Sequence, residues 1–335
     1  MNPQRYINAV DSLTWNAETN GDFHLVYASY ISRLRNAFAA LAARDLERSH
    51  LAKTVLEIVR YSDCGDFDNF LTVPWVSNLL LSRVIETHSI EKILRVISRR
   101  NTLRDAYNPS DLYSFSIDFS YREMPDDGFG ETDLELSISE RARVLREIDN
   151  ANFLIQEASI VTKMFVQQFL RVVALRRDPA SPEIPGSFSR PDYLGLATII
   201  NPDCKVASYI YLADAIVHEA VHSYIYMIEL ESGDNTAYEH FPLVDREIIS
   251  PWSHKRLKIR YFVHACFVWY SLLNFWNLVV MNSRLCSDEA IERRHLCAKG
   301  FSKSRLADLV RNEELPQELK AAIDLLDERA MNRSL

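Results

Sequence analysis

The stretch VASYIYLADAIVHEAVHSYIYMIEL, residues 206–230, decides how this chain is read. It contains neither Gly nor Pro, and its apolar residues recur at threes and fours, so it is expected to form one long, deeply buried helix. Within it His218, Glu219 and His222 spell His-Glu-x-x-His. Residues four apart on a helix lie one above the other on the same face, so the two imidazoles can share one divalent ion, with Glu219 projecting beside them. Two histidines leave an ion short of a full set, and a third protein ligand has to come from elsewhere.

Moving toward the carboxyl end, Arg256 to Asn282 reads as a second buried helix and carries His264. An imidazole without a partner is unwelcome among apolar neighbours, and a metal would give it one, which makes His264 the best third ligand. Glu239, His240, Asp245, Glu247 and His254, in the loop between the two helices, compete for that place. Each is more simply explained as an exposed polar residue. Arg260 stands one turn before His264 on the same face, and Arg256 a turn further back. Both are candidates for holding an anionic group near the ion; the alternative is a solvent-exposed basic helix start, which is a poor place for cations. Phe262 to Met281 is apolar enough to raise the question of a membrane span. His264, Asn274 and Asn277 would be costly in lipid and no second span accompanies it, so a core helix is expected.

Moving toward the amino end, YLGLATII (193–200) reads as a short strand ahead of the motif helix, and the Pro-rich 179–191 as a loop. Helical spacing runs from Ser139, a candidate cap, to Arg177. Tyr113, Phe115, Ile117, Phe119 and Tyr121 alternate with polar residues, as do Leu134, Leu136 and Ile138, which predicts a hairpin or a pair of strands. Helices are predicted over about 23–49, 50–61 and 76–99, and mixed-charge helical spacing, divided by Pro316, over 288–333. The expected fold class is mainly α with minor β (α+β), a helical protein with its metal site between the HExxH helix and the following apolar helix. An N-terminal helical region, 1–110, would precede a catalytic metal-binding region, 111–335, or the two would form one continuous domain.

The 335 residues, 47% hydrophobic and 11% aromatic, can fill a sizeable core. A net charge of -8 argues against a nucleic-acid or anionic-membrane partner. MNPQRYINAVDSLTWN at the start lacks the charged beginning and apolar run of a secretory signal, so a cytoplasmic location is expected. Cys64, Cys204, Cys266, Cys286 and Cys297 show no Cys-x-x-Cys spacing and read as reduced thiols.

Two chemistries fit such a site. In a zinc peptidase or other zinc hydrolase, Glu219 is the general base for a metal-bound water. Ile225 and Ile228 stand where the extended metzincin pattern requires Gly and His, which excludes that subclass, and Glu247 lacks the sequence context of a gluzincin ligand. In an iron oxygenase, three protein ligands leave open positions for a 2-oxo acid and dioxygen, and a cation such as Arg260 holds the far carboxylate. A non-enzymatic binding protein on a helical scaffold is a third reading.

The run GSFSRPDYLGLATIINPDCKVASYIYLADAIVHEAVHSYIY (186–226), followed by SPWSHKRLKIRYFVHACFVWYSLLNFW (250–276), resembles the HExxH-type enzymes linked to modification of ribosomally made peptides. The likeness rests on His218-Glu219-Ala220, on Ser250-Pro251-Trp252, and on His264 with Phe267, Trp269 and Tyr270. It is close over 186–281 and looser from about 70, where Phe70 to Trp75 is similar to an early Pro-containing segment of the family. Where the family carries Arg after Ser-Pro-Trp and a Pro-Arg-Pro beyond, this chain reads Ser253-His254-Lys255-Arg256-Leu257. The resemblance implies an Fe(II)- and 2-oxoglutarate-dependent peptide β-hydroxylase of natural-product biosynthesis. His218, His222 and His264 would hold iron, Arg260 or Arg256 the co-substrate, and Glu219 would orient a ligand or water. The substrate would be a peptide, leader- or carrier-presented.

Overall fold

In the computed structural model, residues 4–16, 23–45, 71, 80, 115–118, 132–133, 136–232, 247–282, 284–303, 305–310 and 315–334 are described. Along the chain these form α1 (Arg5–Ser12), α2 (Phe23–Asp45), β1 (Ser116–Asp118), β2 (Thr132–Asp133), α3 (Ile138–Ala158) and α4 (Ile160–Phe169). Then follow β3 (Val172–Arg177), β4 (Gly186–Ser189), β5 (Leu196–Ile200), α5 (Tyr209–Ser232), β6 (Glu247–Ile249) and β7 (Arg256–Lys258). The chain ends in α6 (Ile259–Met281), α7 (Asp288–Lys303), α8 (Leu306–Val310) and α9 (Gln317–Ser334). The protein is mainly α-helical with small sheets.

Two compact units divide the chain. One gathers 1–26, 142–166 and 207–335, and the other 27–141 and 167–206. The expected boundary at 110/111, the helices over 50–61 and 76–99, and nearly all of the segment from Phe70 to Trp75 lie outside the described residues.

The first unit is built around α6, which packs against α5, α7 and α9. Its apolarity on all sides is what a fully enclosed helix requires. Although α6 is long and apolar enough to cross a membrane, 72% of its most apolar window is buried inside the protein. Its two asparagines have partners: Asn274 donates to Leu13 O at 3.0 Å, and Asn277 accepts from Arg294 Nε at 2.6 Å. The indole of Trp15 donates to Ser271 O at 2.9 Å, which fastens the segment after α1 to the central helix.

The second unit holds a five-stranded sheet in the order β1-β3-β5-β4, with β2 also pairing with β3. β1 and β5 run parallel to β3, while β2 and β4 are antiparallel to their neighbours. The described parts of β1 and β2 therefore each pair with β3, where a hairpin between them was one expectation. The long helix expected over 139–177 is also corrected. It breaks into α3 and α4 and ends before Val172, where the chain becomes the central strand β3. Val172, Val173, Ala174 and Leu175 are all buried. An unbroken apolar run of this kind suits a parallel strand covered on both faces, and periodicity alone cannot distinguish it from a buried helix. α3 starts with a capping box in which Ser137 and Glu140 exchange hydrogen bonds, Glu140 N–H donating to Ser137 Oγ at 3.3 Å and Ser137 N–H to Glu140 Oε2 at 2.8 Å. The cap thus falls two residues before Ser139.

Candidate metal centre

All the candidate side chains that the structure brings together belong to the first unit. α5 carries His218, Glu219 and His222 on consecutive turns, as the spacing predicts, and α6 lays His264 against them. The Nε2 atoms of His218 and His222 are 3.2 Å apart. Two nitrogens each bonded to one ion at about 2.0–2.1 Å sit about 3.0–3.4 Å from each other, so this pair is spaced as donors to a shared metal. On its other edge His222 places Nδ1 3.2 Å from Nδ1 of His264. Among the described residues no three such side chains already converge on one point. His264 Nδ1 thus faces one edge of the His222 ring and His218 Nε2 the other.

Burial pushes the pKa of His218 down to about 4, with the nearby Arg293 guanidinium acting in the same direction. The ring nevertheless keeps an edge 28% open to solvent. His222 is held well below the usual histidine range by burial, then by the charges His218 and His264 would carry. Both rings are therefore neutral at ordinary pH, the form that donates a lone pair to a metal. His264, Glu219 and Glu229 are fully enclosed, whereas His218 and His222 are half-buried, so the cluster opens on the side of the motif pair.

Two residues that no motif marks pack against the three imidazoles. Glu229 accepts from His264 Nε2 at 2.8 Å and from Arg260 Nη2 at 2.6 Å. Burial alone would raise its pKa, but His264 and Arg260 outweigh that and keep it below the ordinary value. Tyr226 stacks on His222 at 6.0 Å, lies 4.7 Å from the His264 ring, and has the Arg260 guanidinium 5.7 Å from its centroid. A sequence signal for Glu229 existed. It follows His218 by eleven residues, three helical turns, and so returns to the same face of an otherwise apolar segment. On the other flank Asp214, one turn before His218, accepts from Trp276 Nε1 at 2.6 Å and from Arg293 Nη2 at 2.9 Å. This anchors α7 beside the motif.

The structure does not bring every candidate into the centre. Arg256 was expected on the same helix as Arg260 but lies exposed on β7. The reason is that Arg256–Lys258 pairs antiparallel with Glu247–Ile249 before α6 begins. Glu247 is exposed on β6, and His254 is exposed with a φ of 57° in the connecting turn. Glu239, His240 and Asp245 lie outside the described residues. The tripeptide Ser250-Pro251-Trp252 is an anchor for that turn: the Trp252 indole stacks on Trp269 at 5.6 Å and donates to Cys297 O at 2.9 Å. No protein-family model and no curated relative matches the chain.

Proposed function

We propose that the protein is an Fe(II)- and 2-oxoglutarate-dependent hydroxylase acting on a side chain of a peptide or carrier-bound amino acid, in ribosomal-peptide natural-product biosynthesis. The observation that carries this reading is the joining of three imidazoles from α5 and α6 with an arginine one turn before the third. His218 and His222 would hold the ion through Nε2 and His264 through Nδ1. Arg260 gives Nη2 to Glu229, and its Nε is buried with no hydrogen-bond partner. That free donor supports Arg260 as the anchor for the far carboxylate of 2-oxoglutarate, since a buried donor left unpaired is costly until a ligand fills it. Arg256, exposed on β7, would add longer-range attraction for the anionic co-substrate. When bound, iron with 2-oxoglutarate supplies the oxidising power to hydroxylate an unactivated carbon, one atom of dioxygen leaving in succinate and the other in product. The aromatic wall around His264 would exclude water from that chemistry.

The acidic net charge disfavours nucleic acid or an anionic membrane as partner, and a reducing cytoplasm suits the free thiols Cys266 and Cys297. A second reading, a zinc hydrolase, draws on Glu219, whose Oε1 lies 4.0 Å from His218 Nε2 and thus beside any ion held there. Anaerobic reconstitution with iron(II) and 2-oxoglutarate tests the choice. A visible charge-transfer band, followed by succinate on admission of oxygen and lost in His222→Ala, is the expected result. Neither signal with iron, together with peptide cleavage on addition of zinc, would overturn it in favour of the hydrolase.

A further inference from the structure

We infer that Glu229 is a positioning residue: braced by Arg260, it fixes His264 in the tautomer that carries hydrogen on Nε2 and presents a bare Nδ1 to the motif histidines. The inference extends the proposed metal centre and rests on it only for its consequence in metal affinity.

Glu229 Oε1 lies 2.8 Å from His264 Nε2, and both side chains are 1% exposed, so no water competes for that contact. A carboxylate only accepts, which obliges Nε2 to be the donor, so a ring carrying one hydrogen has its lone pair on Nδ1. That atom is the one that faces His222, at 3.2 Å. In the metal-free protein the lone pair accepts an N–H from His222 Nδ1, which in turn bares His222 Nε2 toward His218 Nε2, also 3.2 Å away. The order of hydrogens along the chain of rings is thus set from its buried end. With an ion present the same His264 lone pair is the one available to it. Arg260 supplies what holds the carboxylate in place, with Nη2 on Glu229 Oε2 at 2.6 Å. A ligating imidazole whose second nitrogen is held by a carboxylate has its ring orientation and basicity fixed by that carboxylate.

Glu229→Gln separates charge and hydrogen-bond polarity from shape. Arg260 can only donate, so it claims the amide oxygen, and the amide NH2 is left facing His264. His264 Nε2 must then accept, and its hydrogen moves to Nδ1. Ring-nitrogen NMR on metal-free protein labelled with 15N-histidine reads this directly. The expected result is the Nε2–H tautomer of His264 in the parent chain and the Nδ1–H tautomer in the variant. Titration with cobalt(II) should show affinity falling by about 10–100-fold in the variant, with its visible ligand-field bands altered. Melting curves establish that the variant is folded; Glu229→Asp, which restores the charge, should recover the parent tautomer if the variant lost it. An Nδ1–H tautomer in the parent chain, or an unchanged tautomer in Glu229→Gln, overturns the inference. Absence of cobalt binding by the parent chain would defeat the metal reading, while the tautomer measurement still decides the role of Glu229.

Discussion

At the scale of single residues, Glu219 separates the two chemistries that the motif permits. It is 1% exposed, with Oε1 4.0 Å from His218 Nε2. In the hydroxylase reading it orients a ligand or water, so Glu219→Gln should keep iron binding and lower succinate formation by less than about tenfold. In a hydrolase it is the general base, and its loss costs about 10²–10⁴-fold in rate. Measuring iron affinity and turnover of the same variant decides between them, and a fall of the larger size with metal still bound would count against the hydroxylase. Glu229 shows how much a residue's meaning depends on its neighbours. By sequence it is one carboxylate near the end of an apolar helix; in the structure it joins an arginine and a histidine from another helix.

At the scale of elements, the hairpin of β6 and β7 feeds directly into α6 and so sets where the helix bearing Arg260 and His264 begins. Its turn is closed by Ser250 N–H on Lys255 O and His254 N–H on Ser250 O, both at 2.9 Å. Trp252 fixes the turn from outside, edge-on to Phe301 at 5.1 Å and stacked on Trp269. The approach of α7 to this indole requires a glycine, because a Cβ on Gly300 would fall 2.0 Å from Trp252 Nε1. Gly300→Ala is therefore expected to destabilise the protein by about 1–3 kcal/mol, the usual cost of overpacking a filled interior. Chemical denaturation monitored by tryptophan fluorescence checks this. An unchanged midpoint would mean that the hairpin is not held as described.

At the scale of the whole molecule, stability is expected to depend on pH through a buried carboxyl on α9. Asp327 on α9 accepts the N–H of Leu306 at 2.9 Å and so caps the start of α8. Burial pushes its pKa up to about 6, outweighing the N–H groups and Arg305 that pull it down. The folded protein thus holds this proton more tightly than the unfolded chain. The stabilisation it gives is complete below the ordinary carboxyl value of 3.8 and is lost as pH rises through about 6. Asp327→Asn keeps an acceptor without the charge, so its melting temperature should fall less than that of the parent chain between about pH 4 and pH 7. Parallel curves for the two proteins would show that Asp327 does not titrate in this window.

The sequence by itself determined α5, α6 and the facing of His218 and His222, because helical phase is a local property that follows from 3.6 residues per turn. It also set the mainly helical class, since long segments without Gly or Pro carry that period strongly. Only the tertiary structure decided that residues 172–177 are a central strand, because a fully buried apolar run has no period to read. Tertiary structure also took Arg256 out of the helix, through pairing with β6. It placed His264 against His222 and gave both His264 and Arg260 to Glu229. Those contacts depend on the register with which two helices pack, which is fixed by the shapes of many side chains far apart in the chain and by no short stretch alone.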